Sequence, residues 1–384
     1  MDAVLVAWVW FGWWSVSSVI HWTSAALARH PRRAGGASGD VRRSISEFSI
    51  VAPMNGAVDA SADYVRCLQA LSTAGAEILI CVPDAADGAI APTRAVWPDA
   101  PILVGSGDTF NPKMNNVSKG LEAASRAVVA LCDAGVMLGA DELLSAAGSL
   151  SDRVGLVLAL KAGEAPINFA AELERAYIDG HQARFLFAAD RLGLAVASGG
   201  VTLLSHETLQ RIGNWHAFNR WIADDYSVTR SVRELGLDTR LGDAMLRLPL
   251  GRRDWSTVWR RQVRWARTRL RLPVWPLVLW EPAIGWLISG AAGAVALAAA
   301  NASTPAFAIG LIGHTVAWLA GEKWFMIGRG LDFGPRAAAA ALIRELLAPV
   351  LILRALSGRS IDWRGTDLGG QWRTRGDGTS EKSV

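Results

Sequence analysis

The run from Ala3 to Ala28 contains no Asp, Glu, Lys or Arg, and it constrains the fold more than any other feature of the chain. About 20 apolar residues are enough for a helix that crosses a bilayer. Arginines follow the run directly, whereas a cleaved signal peptide carries its positive charge before the apolar segment. Because basic residues after a span mark the cytosolic side, the sequence predicts a permanent anchor over residues 1–28 and a cytosolic location for the chain that follows.

The composition agrees with a membrane protein. Hydrophobic residues make up 51% of the 384 residues, and 18 tryptophans stand against 3 tyrosines. Tryptophan concentrates where the apolar bilayer core meets the headgroups. Most of the positive charge is arginine, which together with the Ala and Gly content is typical of a high-GC bacterial source. The three cysteines have neither a metal-binding spacing nor a disulfide pattern, so we expect reduced thiols.

Residues 47–250 differ in character from the anchor and follow a polar Gly/Ser-rich linker, residues 29–46. Short apolar runs such as FSIVAPM, EILICVPD, AVVALCDAG and RVGLVLALKA predict strands, and residues 61–74 and 115–127 predict helices between them. Strands that alternate with helices are typical of a mostly parallel sheet covered on both faces. The sequence therefore predicts a cytosolic α/β catalytic domain over this segment.

Residues 251–272 predict a basic amphipathic helix, with eight arginines and one acid. Apolar residues recur along it at three- and four-residue spacing, at Trp255, Trp259, Val263, Ala266 and Leu270. This pattern is typical of a helix that lies in a membrane interface.

Hydrophobic membrane segments are predicted within residues 273–356 and a polar, cytosolic tail over residues 357–384. The last hydrophobic stretch carries Arg344 and Glu345 near its middle, which favours a re-entrant or interfacial position over a spanning one. We expect an integral membrane protein of the bacterial inner membrane whose catalytic domain faces the cytosol.

Carboxylates follow two of the predicted strands and open one predicted helix. They are Asp84 and Asp87, Asp133, and the pair Asp224 and Asp225. Ligands of open α/β sheets bind beyond the carboxyl ends of the strands. An enzyme that uses a nucleotide-sugar needs carboxylates to contact the nucleotide, to hold a divalent cation on the diphosphate and to accept a proton from the acceptor hydroxyl. Taken singly, each of these residues is more often a turn former or a helix cap.

Two arginines of the basic helix provide a possible anion site. Arg261 and Arg264 are three residues apart and share a helix face, so their guanidiniums could grip a diphosphate. Trp265 could stack on the sugar or the acceptor. The alternative is a surface helix that holds anionic lipid.

Five motifs occur in order along the chain: CVPDAADGAI, NPKMNN, CDAG, IADDYS and RQVRW. This set resembles the ceramide glucosyltransferase family of membrane-bound inverting glycosyltransferases. Weaker similarity continues in IRELLAP and IDWRG. The resemblance implies a GT-A catalytic domain, which is Rossmann-like with a mostly parallel sheet, together with an N-terminal transmembrane helix and C-terminal membrane helices.

The resemblance also implies roles for residues of the motifs. Asp225 would be the general base, with Asp224 in support, and Asp133 would handle the metal and the diphosphate. The residues expected to bind the nucleotide-sugar are Asp84, Asp87, Lys113, Asn116, Arg261, Arg264 and Trp265. Asn115 belongs to the same stretch as Lys113. A divalent cation, Mg²⁺ or Mn²⁺, is expected as cofactor, although Asp133 is followed by Ala134 and Gly135 rather than by the Asp-x-Asp pattern of many metal-dependent relatives.

The expected reaction is transfer of a hexose, glucose or galactose, from a UDP-sugar to the hydroxyl of a membrane lipid, ceramide or diacylglycerol, with inversion to a β-glycoside. A hopanoid acceptor and a catalytically inactive, membrane-tethered nucleotide-sugar-binding protein remain as alternatives. A polysaccharide synthase would need more spans after the catalytic domain, and a transporter would need repeated spans. No nucleic-acid partner is expected.

Overall fold

The computed structural model of the chain describes residues 2–30, 43–195, 198–363 and 366–368. Two compact units are present. The helical unit comprises residues 1–31, 165–188 and 250–359, and the sheet unit comprises residues 32–164, 189–249 and 360–384. Much of the predicted linker and most of the predicted polar tail lie outside the described residues.

The strands are β1 Phe48–Pro53, β2 Glu77–Val82, β3 Ile102–Val104, β4 Val128–Cys132, β5 Val154–Pro166, β6 Gly200–Ser205, β7 Asp238–Leu241, β8 Leu246–Gly251, β9 Asp362–Trp363 and β10 Thr366–Asp367. The first helices are α1 Ala3–Arg29, α2 Ala62–Thr73, α3 Ile90–Val96, α4 Pro112–Ala123, α5 Ala140–Ala147, α6 Phe169–Arg175 and α7 Arg184–Arg191. A π-helical segment, Ala176–Ala183, joins α6 to α7. The remaining helices are α8 His206–Arg211, α9 Asp224–Glu234, α10 Trp255–Arg269, α11 Trp275–Trp280, α12 Trp286–Ala299, α13 Thr304–Gly328 and α14 Pro335–Leu356.

The sheet unit is built on one sheet with the strand order β3-β2-β1-β4-β6-β5-β7, to which β8 adds by pairing with β5. Strands β3, β2, β1 and β4 run parallel to one another, and β7 is parallel to β5. Strand β6 runs antiparallel to both β4 and β5. The prediction of a mostly parallel sheet in an α/β fold is therefore confirmed.

Burial explains why these strands read as continuous apolar runs rather than as alternating ones. Every residue of β1 and β4 is buried, because helices cover a parallel sheet on both faces. Asp84 and Asp87 follow β2, and Asp133 follows β4, at the carboxyl edge of these parallel strands.

Helix α4 lies close against this sheet at a glycine. A Cβ atom at Gly120 would lie 2.5 Å from the Cys81 Sγ atom and 2.7 Å from the Val51 Cγ1 atom. Such distances leave no room for a methyl group without movement of the helix or the strands. Gly120 thus sets how closely α4 approaches β1 and β2.

The helical unit contains the apolar helices that the sequence predicts. Within the described residues, α1 and α13 are long and apolar enough to cross a membrane, by length and composition, whereas α12 is shorter. The α1 helix packs against α12 and α13, and a hydrogen bond of 3.1 Å from the Trp14 Nε1 atom to the His314 Nδ1 atom joins it to α13.

The charged centre of α14 is neutralised within the same unit. Arg344 is buried and donates two hydrogen bonds of 2.8 Å to the two carboxylate oxygens of Glu322 on α13. It donates a third, also of 2.8 Å, to Glu345. Because a buried charge is tolerated when it is paired and hydrogen-bonded, α14 can bury its middle in spite of Arg344.

The apolar stripe of α10 packs against protein. Val263 and Ala266 are buried in a cluster with residues of α6 and α14, and Trp259 and Leu270 pack against the same cluster. Trp255 is 55% exposed. The interfacial position of this helix, with the other domain boundaries, stays a prediction.

Replacement of Gly120 by alanine tests the close approach of α4. Since the new methyl group must displace β1 or the helix, we expect a loss of stability of about 1–3 kcal/mol and a lower Tm in detergent, followed by tryptophan fluorescence. Gly107→Ala is the matched control, because its Cβ atom would meet no heavy atom closer than 3.6 Å. Equal Tm values for the two variants would contradict this account of the packing.

Candidate active site

The reversed direction of β6 assembles a polar site at the carboxyl edge of the sheet. Strand β4 ends just before Asp133, and the register pairs Leu160 of β5 with Gly200 at the start of β6. The beginning of β6 therefore lies beside the end of β4 and the middle of β5. Glycines 199 and 200, Asp133 and Lys161 meet at this point.

Asp133 is held from several directions. Its Oδ1 atom lies 3.0 Å from the Lys113 Nζ atom, and its Oδ2 atom lies 3.0 Å from the Lys161 Nζ atom. The backbone N–H of Gly200 donates a hydrogen bond of 3.0 Å to the same Oδ2 atom, and the N–H of Asp133 donates one of 2.8 Å to the carbonyl of Gly200. Both carboxylate oxygens thus accept from cationic groups.

Lys113 connects Asp133 to the acidic pair. Its Nζ atom also lies 2.7 Å from the Asp224 Oδ2 atom. Lys113 stands in the first turn of α4, where the Asn111 side chain caps the helix by accepting a 3.0 Å hydrogen bond from the Lys113 N–H. The structure therefore brings together residues 113, 133 and 224, which are far apart in sequence.

Asp225 has a different environment from its neighbour. Its Oδ2 atom accepts a hydrogen bond of 2.8 Å from the N–H of Gly199, and Ala223 rather than either aspartate is the N-terminal cap of α9. Burial, followed by the charge of Asp224, raises the pKa of Asp225 to about 7. A carboxylate with this pKa is suited to accept a proton near neutral pH.

The pKa shifts of Asp133 and Lys113 favour the charged forms of these groups, whereas that of Asp225 favours its neutral form. Burial alone would raise the pKa of Asp133, but Lys113 and Lys161 outweigh it and hold that pKa well below its usual range. Burial likewise opposes the charge of Lys113, yet Asp133 and Asp224 raise its pKa. At neutral pH Lys113 and Asp133 are therefore charged, while Asp225 is poised between its two states.

Asp84 and Asp87 differ in what they contact. Asp87 joins two loops, since its Oδ1 atom accepts hydrogen bonds of 2.9 Å from the Gly56 N–H and 2.8 Å from the Ala89 N–H. Asp84 is exposed and accepts a bond of 2.8 Å from the Ala86 N–H two residues on. This geometry is typical of a turn.

The asparagines of the NPKMNN motif support the loops of the site. The buried Asn116 amide donates hydrogen bonds of 3.0 Å to the carbonyls of Met54 and Cys81, and so links the ends of β1 and β2. Asn115 bonds to the backbone of Thr109 through both side-chain atoms. Contact of Asp84, Asp87, Asn116 or Lys113 with a donor stays a prediction.

The arginine motif belongs to the helical unit. Arg261 and Arg253 both bind the carboxylate of Glu174 on α6, a side chain with no exposed surface; the Arg253 Nε atom lies 3.0 Å from the Glu174 Oε2 atom. Arg264 and Trp265 lie half-buried on α10. The donor-binding role of Arg261, Arg264 and Trp265 stays a prediction.

Three residues of the site were absent from the sequence prediction: Lys161, Gly199 and Gly200. Gly200 has φ of +140°, and a Cβ atom there would lie 2.3 Å from the Ala159 carbonyl oxygen. At Gly199 a Cβ atom would lie 2.8 Å from the Lys161 Nζ atom and 3.1 Å from the Asp133 Oδ2 atom. The sequence feature that could have indicated this close approach of the backbone is the Gly-Gly pair directly before an apolar strand.

The donor chemistry at Asp133 fits a hard divalent cation, because carboxylate oxygens are what Mg²⁺ and Mn²⁺ prefer. Gly199 keeps the space beside the Asp133 Oδ2 atom free of a Cβ atom. Among the described residues no group of three or more His, Cys, Asp or Glu side chains is arranged to hold a metal ion. Most ligands of a cation at Asp133 would therefore have to come from water and from a bound diphosphate.

Comparison with known proteins identifies the family. The model of the family described as Glycosyl transferase family 21 matches residues 14–375, which is nearly the whole chain. The chain belongs to glycosyltransferase family 21. This membership confirms the resemblance to a family of glycosyltransferases.

Two curated relatives are similar in sequence. Ceramide glucosyltransferase 3 of Caenorhabditis elegans is 25% identical over 308 residues, which cover 75% of this chain and 65% of that protein. Ceramide glucosyltransferase 1 of the same organism is 22% identical over 312 residues, which cover 78% of this chain and 66% of that protein. The chain thus matches about two thirds of the length of these relatives.

A solved structure supports the fold. The mannosyltransferase PcManGT from Pyrobaculum calidifontis, in complex with GDP-Man and Mn²⁺, superposes with a TM-score of 0.51 and 17% identity, over 90% of this chain and 99% of that chain. This similarity, with the observed sheet, confirms the predicted GT-A fold class.

Replacement of Gly199 by alanine tests the glycine pair. The new Cβ atom would press on Lys161 and Asp133, so we expect transferase activity to fall by about 10- to 100-fold, the cost of a small misplacement of reacting groups. Gly193→Ala is the matched control, since Gly193 also has a positive φ, of +75°, but a Cβ atom there meets nothing within 4 Å. If both variants lose activity equally, backbone strain rather than contact with the site is the cause.

Proposed function

We propose that this protein transfers a hexose from a UDP-sugar to the hydroxyl of a membrane lipid, with inversion to a β-glycoside. The observation that carries the proposal is Asp225, a carboxylate whose pKa is raised to about 7 and which belongs to a cluster with Lys113, Asp133 and Asp224 at the carboxyl edge of the sheet. Membership of family 21 supports transfer to a lipid.

Asp225 is the proposed general base. In an inverting transfer the acceptor hydroxyl loses its proton as its oxygen attacks the anomeric carbon from the face opposite the leaving group. The Gly199 N–H fixes the orientation of the Asp225 carboxylate. The neighbouring charge of Asp224 raises the proton affinity of Asp225, and Lys113 neutralises Asp224.

The negative charge that develops on the departing UDP needs cations close by. Lys113 and Lys161 supply two ammonium groups at the carboxyl edge. Asp133 is the residue proposed to hold a divalent cation, Mg²⁺ or Mn²⁺, which when bound would act as a Lewis acid on the diphosphate. The Mn²⁺ in the complex of PcManGT supports this cofactor.

The names of the two nematode relatives favour ceramide as acceptor and glucose as the sugar. Diacylglycerol, a hopanoid and galactose are the other candidates. The helices α1 and α13, which are long and apolar enough to cross a membrane, support an acceptor that lies in the bilayer. We place the protein in the bacterial inner membrane with the sheet unit in the cytosol, where UDP-sugars are made.

Mass spectrometry of lipid extracts tests the reaction. A host expressing the chain should accumulate a new hexosyl lipid whose mass identifies the acceptor. Membranes supplied with labelled UDP-glucose or UDP-galactose, and with ceramide or diacylglycerol, then separate the donors and acceptors. Absence of any new glycolipid under all these conditions, with the protein present in the membrane, would support the inactive nucleotide-sugar-binding protein instead.

Asp225→Asn should abolish the hexosyl lipid, with a loss of at least about 100-fold in rate, because an amide cannot accept the proton. Asp152→Asn is the control, since Asp152 is an exposed carboxylate of the same unit, and it should keep the wild-type rate. Lipid mass spectrometry and a radiolabel assay measure both. Activity of Asp225→Asn near that of the wild type would exclude Asp225 as the base.

The rate should rise with pH, because the general base acts in its deprotonated form. Below a pKa of about 7 Asp225 is protonated, so the rate should fall by about tenfold for each further pH unit, and it should level off above that pKa. Asp224→Asn removes the charge that raises the pKa of Asp225, so its profile should shift to lower pH. Initial rates on both sides of the pKa measure this, and a wild-type rate that does not change across the range would contradict the assignment.

A further inference from the structure

The Asp133 carboxylate, which is the proposed cation ligand, is already occupied. Lys113 lies 3.0 Å from its Oδ1 atom and Lys161 lies 3.0 Å from its Oδ2 atom. A divalent cation prefers the lone pairs that these ammonium groups use. A cation that binds Asp133 must therefore share the carboxylate with two ammonium groups that repel it, unless a lysine moves.

The net charge of the site also disfavours the binding of a divalent cation on its own. The two lysines pair with Asp133 and Asp224, so these four side chains together carry no net charge. The two positive charges of a divalent cation would be repelled by the lysines, and this repulsion is strong because the site is partly buried. A diphosphate would make binding of the cation favourable, because its negative charge offsets the charges of both the cation and the displaced ammonium group.

Lys113 is better placed to move than Lys161. Its backbone is fixed in the capped first turn of α4, while its flexible four-carbon stem lets the ammonium swing. Lys161 is the less exposed of the two, with 13% of its side chain exposed against 19% for Lys113, and its backbone lies in β5. Lys113 also binds Asp224, so its displacement from Asp133 leaves it a second anion.

We propose that Lys113 and a divalent cation compete for Asp133, so that the cation binds weakly alone and tightly together with a nucleoside diphosphate. This inference rests on the proposed function only because it assumes that the site binds a nucleoside diphosphate and a divalent cation. Lys113 is then the internal counter-ion of Asp133, and it moves away from Asp133 when the diphosphate binds. The coupling is reciprocal, since the cation must strengthen binding of the nucleotide by the same factor.

Direct binding of Mn²⁺ tests the competition without any turnover. Electron paramagnetic resonance of free Mn²⁺ would be measured with the purified full chain, with and without UDP. We expect Lys113→Met to bind Mn²⁺ about tenfold more tightly than the wild type in the absence of UDP, because one cationic neighbour of Asp133 is removed. The enhancement by UDP should be correspondingly smaller in this variant.

Lys119→Met is the matched control, since Lys119 lies on the same helix and its Nζ atom binds the carbonyls of Gly105 and Asn116 rather than a carboxylate. It should bind Mn²⁺ as the wild type does, and circular dichroism checks that both variants are folded. Asp133→Asn, added to Lys113→Met, should remove the gain.

Equal or weaker Mn²⁺ binding by a folded Lys113→Met protein would overturn the proposal, as would a gain that survives loss of Asp133. Because the assay contains neither acceptor nor intact donor, a wrong acceptor or sugar would not change its result. Failure of the proposed reaction would instead appear in the lipid assay while the Mn²⁺ and UDP coupling persists.

Discussion

The antiparallel insertion of β6 between β4 and β5 is the constraint on which the site depends. In a sheet whose other central pairs are parallel, the reversed strand starts beside the end of β4 and the middle of β5. Its first backbone groups therefore face the loops of the carboxyl edge. The N–H groups of Gly199 and Gly200 each hold a different aspartate, Asp225 and Asp133. One short turn thus fixes the spacing between the proposed base and the proposed cation ligand.

The two carboxylates have different electrostatic surroundings. Asp133 lies against two lysines and has a lowered pKa, whereas Asp225 is buried beside Asp224 and has a pKa raised to about 7. Acid and base roles are commonly divided in this way, by environments that push the pKa values of similar groups apart. Lys113 takes part in both environments, because it binds Asp133 and Asp224 at once.

The sequence was sufficient for the features that depend on local patterns. Continuous apolar runs predicted the buried strands, the uncharged run predicted α1, and aspartates after strand ends predicted Asp133 at the edge of the sheet. Lys161 and Gly199 could not be predicted, because their places depend on the register that pairs Leu160 with Gly200. The apolar stripe of α10 shows a similar limit, since a helical pattern identifies an apolar face but does not say whether protein or lipid covers it.

The ion pair between Arg344 and Glu322 has a consequence for how the helical unit is assembled. A single arginine in the middle of an apolar helix is costly to bury, whereas the same residue bound by two carboxylates is not. Glu322 on α13 is likewise costly to bury until Arg344 of α14 is present to pair with it. Neither helix reaches its final environment alone, so α13 and α14 should be buried as a pair. The last step of assembly must then wait until the chain has been synthesised past Arg344.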